Sequence, residues 1–247
     1  MILIVLPAYN EQESIAELLG GIKRRMEEHR LDYRVVVVND GSTDRTEQTV
    51  LALQKEIPIT YVKHEANAGL GAAIKTGFTK AVESGKSGDV IVTMDSDNTH
   101  DPGLIPQMAR LIGEGRDVVI ASRYRRGSRV VGVPFPRRVL SRGAALLFQA
   151  VCPIPGVRDY TSGFRAYRWE ILHNALSAYG SGFVSAAGFS CMVEILLKLR
   201  ALGVSAVEAP MVLRYDRKSG ASKMKVSSNI VDTLALLWRG RKSSGAP

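Results

Sequence analysis

Two carboxylates stand two residues apart at Asp95-Ser96-Asp97, directly after the apolar run Val90-Ile91-Val92-Thr93-Met94. A run this short and this apolar reads as a buried parallel strand. Two like charges so close repel, and burial would raise a pKa unless a cation shared them. A hard divalent ion, which takes oxygen ligands, is the simplest such cation. Mg²⁺ or Mn²⁺ held by one or two carboxylates completes its shell with water and substrate phosphates. The pattern fits a metal–diphosphate site at the carboxyl end of a strand, where open α/β sheets bind ligands. Taken alone it fits a solvated turn equally well.

Two other loops follow apolar strands in the same way. Pro7-Ala8-Tyr9-Asn10-Glu11 comes after Ile2–Leu6, and Asn39-Asp40-Gly41-Ser42-Thr43-Asp44 after Arg34–Val38. In a parallel sheet all three loops open at one edge, so their side chains can converge on one ligand. Tyr9 offers a flat face for a base. Asp40 offers an acceptor pair for the ring N–H groups of uracil or guanine. Singly, Glu11 is a first-turn helix carboxylate and Asn39-Asp40-Gly41 a turn. Three such loops at three strand ends favour a ligand site.

The elements that must position them alternate. Strands are expected at Ile2–Leu6, Arg34–Val38, Ile59–Lys63, Val90–Met94 and Val118–Ala121. Helices are expected near 12–28, 43–55, 70–84 and 102–113. This order predicts parallel βαβ units over about the first 125 residues. Ser42 or Thr43 is placed to cap the second helix, and Asp101 precedes a first-turn Pro102. The second half is less regular. It holds an Arg-rich loop (Arg123 to Arg129), a Pro-flanked segment and a helix near 139–151. A polar turn at Asp159 to Arg165, a helix near 189–201, a strand near 205–213 and a helix over 226–238 follow.

The chain has 247 residues, 45% hydrophobic and 23% charged, an ordinary globular composition. Its net charge of +9 implies an anionic partner: nucleic acid, anionic lipid or a phosphorylated substrate. Cys152 and Cys191 form no framework, which suits a reduced cytoplasmic setting. No leader and no spanning stretch is expected, the best candidate, 143–157, being broken by Gln149, Pro153 and Pro155. Val226, Ile230, Leu234, Leu237 and Trp238 recur at helical spacing, followed by Arg239, Arg241 and Lys242. That combination predicts an interfacial helix, giving a peripheral protein at the cytoplasmic face of a membrane.

Gly69-Leu70-Gly71 has the start of a dinucleotide fingerprint, but Ile74 replaces its third glycine. It reads as close packing at a helix start. His64 and His100 lack ligand spacing and read as structural.

The chain resembles the family 2 glycosyltransferases, and within them the polyprenyl-phosphate sugar synthases. The carrying residues are Leu6 to Glu11, Asn39 to Asp44, Asn67 to Gly71 and Asp95 to Asp97. Ser122-Arg123-Tyr124, Thr161 to Tyr167 and Arg217 to Lys223 continue the pattern. The Ser-Gly-Phe-Arg run and the Arg-x-x-Gly-x-Ser-Lys loop are the most specific. The resemblance implies an α/β GT-A fold. Its parts are a Rossmann-like, mostly parallel sheet, an acceptor-side extension and a C-terminal amphipathic helix. A catalytic domain over 1–225 and an interfacial helix and basic tail over 226–247 follow.

It also implies roles. Pro7, Tyr9, Glu11, Val38, Asp40, Gly71 and Ser96 would line the nucleotide sugar. Asp95, Asp97 and Thr99 would hold Mg²⁺ or Mn²⁺ and the diphosphate. Arg123, Arg217 and Lys223 would take donor or acceptor phosphates and, with Asp97, form the catalytic set. Arg129, Ser162, Arg165 and Glu194, beside Arg123, would face the acceptor. Two positions depart from the usual pattern: Asn39 stands where an aspartate is common, and Thr99 where glutamine is common. The implied reaction is inverting transfer of one sugar, mannose from GDP-mannose, to a polyprenyl phosphate. The alternative is a UDP-sugar enzyme acting on a lipid phosphate or a saccharide hydroxyl. A nucleic-acid-binding role lacks any recognisable module and leaves Asp95 and Asp97 unexplained.

Overall fold

The structure, a computed structural model, describes residues 1–217. The expected helix at 226–238, the domain boundary at 225 and Lys223 lie outside the described residues.

The first half follows the expected alternation. β1 (Ile2–Ala8), α1 (Ile15–Glu28), β2 (Tyr33–Asn39), α2 (Thr46–Leu53), β3 (Ile59–Lys63), α3 (Leu70–Ser84) and β4 (Val90–Thr93) come in turn. A short 3₁₀ turn at Pro102–Leu104 leads into α4 (Ile105–Gly113), followed by β5 (Val118–Ser122). The second half holds β6 (Arg129–Val131), α5 (Phe135–Val151), β7 (Arg165–Arg168) and α6 (Trp169–Tyr179). α7 (Ser190–Ala201), β8 (Ala206–Pro210) and β9 (Val212–Arg214) complete it.

Seven strands form one sheet in the order β3-β2-β1-β4-β7-β5-β8. All neighbours are parallel except β7, which runs antiparallel to both β4 and β5. β6 and β9 form a separate two-stranded ribbon. Strand side chains alternate between faces. Leu3, Val5, Val36, Val38 and Ile91 pack with α3, α6 and α7 on one face. Ile2, Ile4, Leu6, Val35 and Val37 pack with α1, α2 and α4 on the other. With both faces covered, the central strands are apolar at nearly every position, as buried parallel strands are. Among the described residues no helix is long and apolar enough to cross a membrane.

Four expectations change. The cap of α2 comes from Asp44, whose Oδ1 accepts from the Thr46 N–H at 2.9 Å, because Asn10 N–H takes the Ser42 hydroxyl at 3.0 Å. The expected strand near 205–213 is two, broken after Pro210, with β8 pairing β5 and β9 pairing β6. α5 starts at Phe135, four residues earlier than expected, since a first-turn Pro136 needs no N–H partner. The expected polar turn to Arg165 ends in β7, whose first residue is Arg165 itself.

Candidate active site

The loops after β1, β2 and β4 meet at one sheet edge and lock together. Thr43 N–H donates to Asn10 Oδ1 at 2.8 Å, and Glu11 N–H to the Thr46 hydroxyl at 2.8 Å. Asn39 is wholly buried; its Oδ1 accepts from Ser42 N–H and its amide donates to the Tyr61 hydroxyl at 2.8 Å. An amide supplies both roles at once, which an ionised aspartate could not. Ser96 donates its hydroxyl to the Pro7 carbonyl at 2.8 Å, tying the third loop to the first.

In the third loop burial alternates. Asp95 and Asp97 are half-buried, while Ser96 and Asn98 are buried. The two carboxylates therefore point away from the face that anchors the loop. Asp97 Oδ1 accepts from the Thr99 N–H at 3.2 Å and hydroxyl at 2.7 Å. Thr99 is buried, and its hydroxyl proton is committed to orienting Asp97. His100 lies beneath, its ring stacked on Phe164 with centroids 5.3 Å apart. Its Nδ1 accepts from Asp95 N–H at 3.3 Å, and its Nε2 is 4.0 Å from Asp95 Oδ2.

β7 enters the same edge because it is antiparallel: its amino end lies where its neighbours' carboxyl ends lie. The turn before it, Ser162-Gly163-Phe164, thereby reaches Asp95. A Cβ on Gly163 would stand 2.8 Å from Asp95 Oδ1, so only glycine leaves the carboxylate its place. The same turn holds Asp159, wholly buried, which grips Arg123. Asp159 Oδ2 accepts from Arg123 N–H at 3.0 Å and Nε at 2.8 Å, and Oδ1 accepts from a terminal nitrogen at 2.6 Å. That nitrogen also reaches the Thr161 hydroxyl at 2.7 Å. Burial alone would lower the Arg123 guanidinium, but the Asp159 charge outweighs it and holds Arg123 above its ordinary range. Burial alone would raise Asp159; Arg123 outweighs that and holds it below the usual carboxylate range. Asp95 adds to the field on Arg123, so the arginine belongs to the carboxylate site.

Several expected site residues take other positions. Asp40 is buried, and its carboxylate already accepts from Ala68 N–H at 3.0 Å and Gly69 N–H at 2.9 Å. His64 Nδ1 lies 2.7 Å from Asp40 Oδ1, and its Nε2 lies 3.0 Å from the Thr76 hydroxyl. Of four acceptor positions on a carboxylate, one remains on Oδ2 for a base. Val38 is wholly buried, and its side chain belongs to the core. At Gly71 a Cβ would stand 1.8 Å from the Ala186 carbonyl oxygen, and Gly71 N–H donates to Ala187 O at 2.9 Å. The glycine makes room for chain, as close packing at a helix start requires.

Arg165 turns into the core. It is wholly buried, donating to Met192 O at 2.8 Å and Tyr160 O at 2.7 Å, and presents nothing to an acceptor. Glu194 is buried under the 185–187 segment, accepting from Ser185 N–H and Ala186 N–H at 2.9 Å each, from the Ser185 hydroxyl, and from Lys198 at 2.6 Å. Burial would raise it, but these donors hold Glu194 below its ordinary range. Ser162 is buried with its N–H on Asp159 Oδ1 at 3.1 Å. Arg129 is exposed at the start of β6, and its N–H donates to Met211 O at 3.0 Å. Arg217 lines a cleft of about 320 Å³ with Asn98, Asp101 and the α1 residues Glu17, Arg24, Arg25 and Glu28, and neither Asp95 nor Asp97 lines it. The β9 strap puts it there: Arg214 N–H donates to Thr99 O at 2.9 Å. Tyr9 and Glu11 are half-buried on the first loop.

The model of the family described as Glycosyl transferase family 2 matches residues 3–176, which include every strand of the site edge. The chain belongs to that family. Its mostly parallel sheet, with the carboxylate loop after β4, is the GT-A fold. Two curated relatives extend the match. A dolichol-phosphate mannosyltransferase of Pyrococcus furiosus is 34% identical over 98% of this chain. A polyprenol monophosphomannose synthase of Mycolicibacterium smegmatis is 32% identical over 94% of it. The chain spans 64% of the first relative's length and 83% of the second's. Among solved structures, glucosyl-3-phosphoglycerate synthase of Mycobacterium tuberculosis, in complex with Mn²⁺, UDP and glucosyl-3-phosphoglycerate, superposes with a TM-score of 0.71. It is 23% identical, with 97% of this chain and 79% of that one covered, and supports the fold. The same synthase has been crystallised with Mg²⁺ and UDP.

Sequence reasoning missed Asp159, which looked like a turn residue. Its signal was an acid two residues before Thr161-Ser162-Gly163, on a chain whose Arg123–Arg129 loop carries four arginines and no acid.

The donor set of the family 2 site fits a hard divalent ion. Asp95 and Asp97 offer only oxygen, at a loop held open by Gly163 and Thr99. Among the described residues no group of three or more His, Cys, Asp or Glu gathers into a cage. A two-carboxylate site that leaves the rest of the shell to water and diphosphate is the arrangement Mg²⁺ accepts.

Proposed function

We propose that this chain transfers a single mannose from GDP-mannose to a polyprenyl phosphate at a membrane surface, with inversion. The observation that carries the reading is the placing of Asp95, Asp97 and Arg123 at one sheet edge, in a chain whose relatives are named for mannosyl transfer to lipid phosphates. Asp95 and Asp97 would hold the metal, which when bound offsets negative charge on the donor diphosphate.

The remaining work falls to the chain. The first two loops hold the nucleoside, with Tyr9 and the last acceptor position of Asp40 toward the base. Arg123 keeps two N–H groups of its other terminal nitrogen for a phosphate oxygen, since Asp159 and Thr161 hold the rest. In this reading Arg129 would take the acceptor phosphate and Arg217 the departing diphosphate. The acceptor oxyanion attacks the anomeric carbon from the face opposite the diphosphate. One C–O bond forms, the other breaks, and the nucleoside diphosphate leaves with the bonding pair. A phosphate monoester is already ionised at neutral pH and needs no base.

The test is a transfer assay with purified protein, Mg²⁺ or Mn²⁺, and paired substrates. GDP-mannose with polyprenyl phosphate should give product, and the matching polyprenol should not. Preference for a UDP-sugar, or transfer to a saccharide hydroxyl, would replace the reading.

A further inference from the structure

We infer that Glu208 is a positioning residue for phosphate binding. It fixes the arginine loop from beneath, through Asp159 to Arg123 and directly to Arg125. Glu208 lies on β8, the edge strand beside β5, opposite Ile120. Its side chain shares a face with that of Ala206, which packs with Ile154, Val157 and Tyr160 in the core. An apolar residue would suit that position, yet an acid stands there with its side chain wholly buried. A carboxylate in such a place is kept where hydrogen bonds and opposite charge meet it.

One oxygen is met by the turn that carries Asp159. Glu208 Oε1 accepts from Arg158 N–H and Asp159 N–H, at 2.6 Å each. These bonds fix the backbone of Asp159, which in turn holds Arg123. The other oxygen is an orphan: among the described residues none donates a hydrogen bond to Oε2. A buried acceptor without a donor is rare in folded proteins. Arg125 Nε lies 3.9 Å from it, too far for a hydrogen bond and close enough for a strong field. The Arg125 backbone is held, since its carbonyl accepts from Ser128 N–H at 3.0 Å and the Ser128 hydroxyl donates to Ser122 O at 2.7 Å. Its side chain is 40% exposed, so the guanidinium can close the gap by rotation. Arg123, Asp159, Glu208 and Arg125 therefore alternate in sign, with both acids wholly buried and both arginines reaching the surface. Two guanidinium groups on one short loop repel, and a buried acid behind each keeps them there for an anion.

The inference rests on the reading of Arg123 as a phosphate ligand, and its test separates the two. Glu208→Gln keeps shape and leaves an amide oxygen for the two N–H groups, while an amide nitrogen faces Arg125. Arg125→Gln and the double variant complete a cycle. The cycle is read on KM for a water-soluble, short-chain prenyl phosphate, and on Kd for inorganic pyrophosphate by titration calorimetry. Each single variant should raise both constants about tenfold, with kcat within about twofold of wild type. The double variant should also lose about tenfold, and not the hundredfold or so of independent effects, because both changes remove one contact. Glu208→Gln with wild-type KM and Kd, measured on its folded fraction, overturns the inference. So does a double variant whose losses multiply. If wild type transfers nothing to the prenyl phosphate while the cycle holds on pyrophosphate, the lipid-acceptor reading falls and the role of Glu208 stands.

Discussion

Asp159 holds Arg123 at three points, through the backbone N–H, Nε and a terminal nitrogen, at 2.6 to 3.0 Å. The grip fixes both the arginine side chain and the start of the loop that carries it. The arginine is thereby held in one orientation, as the phosphate-binding role proposed for it requires. Breaking one side of a buried pair leaves the other charge uncompensated, at about 3–5 kcal/mol. Asp159→Asn should lower unfolding stability by that order and scatter the loop. Denaturant titration at neutral pH measures it.

The same pair sets a pH dependence. The folded-state pKa of Asp159 lies below its ordinary 3.8, so the unfolded chain binds its proton first as pH falls. The contribution is full above about 3.8 and declines as pH drops through the lower folded value. The stability gap between wild type and Asp159→Asn should therefore hold from pH 7 to about 4 and narrow below. A gap that already narrows near pH 6 would rule out Asp159 as its source.

Why the sequence showed some of this and hid the rest is physical. β1 to β5 and α1 to α4 were legible because the strands are apolar on both faces and Pro102 and Gly85 punctuate the helices. β7 was hidden because Arg165 occupies a core position, its charge met by two backbone carbonyls that no local pattern reveals. It also interrupts the parallel order, so no strand–helix alternation announced it. The Asp95–Asp97 pair was legible as chemistry because two acids closing an apolar strand need a reason. Asp40 and Glu194 were legible as important, but their partners are backbone N–H groups of other loops, those of Asp40 nearly thirty residues on. Acceptance of loop backbone by a side chain leaves no trace in residue spacing.

Asp97 should be needed for metal-dependent donor binding and dispensable for folding, since it is half-buried on a loop outside the core. Asp97→Ala should abolish the stabilisation that nucleotide and Mn²⁺ give together. Thr99→Val removes the hydroxyl donor at 2.7 Å while keeping shape, and should weaken that binding about ten- to a hundredfold, one charge-assisted bond of about 1.5–3 kcal/mol. Thermal shift with and without metal distinguishes loss of binding from loss of fold.

Glu194 organises chain at four points and should act on stability. In Glu194→Gln the amide oxygen can keep the two backbone N–H groups that reach Oε2, but the new amide N–H group then faces the Ser185 hydroxyl and the Lys198 ammonium, and Lys198 loses its counter-ion. Leaving buried donors unmet costs about 1–3 kcal/mol. The midpoint of urea unfolding should fall accordingly, with KM for the acceptor unchanged. A raised acceptor KM at unchanged stability would return Glu194 to the acceptor site.

Gly71 should tolerate no side chain. A methyl at 1.8 Å from the Ala186 carbonyl oxygen meets backbone, which cannot rotate away, and the 186–187 segment must shift. Overpacking of this kind costs about 1–3 kcal/mol, and the Gly71–Ala187 hydrogen bond is lost with it. Gly71→Ala should lower the melting temperature and weaken nucleotide binding together, because the Gly69 N–H that Asp40 accepts lies in the same turn. Calorimetry and nucleotide titration on one preparation would show both.

The pH dependence of turnover should reflect the acceptor and not the enzyme. A phosphate monoester loses its second proton near pH 6, so the nucleophile fills as pH rises through that value. Above it the rate should stay level to about pH 8, because no side chain has to accept a proton from the attacking oxygen. A hydroxyl acceptor would behave differently: it would need a base within hydrogen-bond reach, whose own ionisation would shape the profile. The decisive comparison is between a phosphate acceptor and its phosphonate analogue, whose second ionisation lies at a different pH. If the acidic limb of kcat/KM moves with the analogue, the ionising group is on the acceptor. If the limb stays where it was, an enzymic base is at work and the acceptor's own oxyanion is not the attacking group.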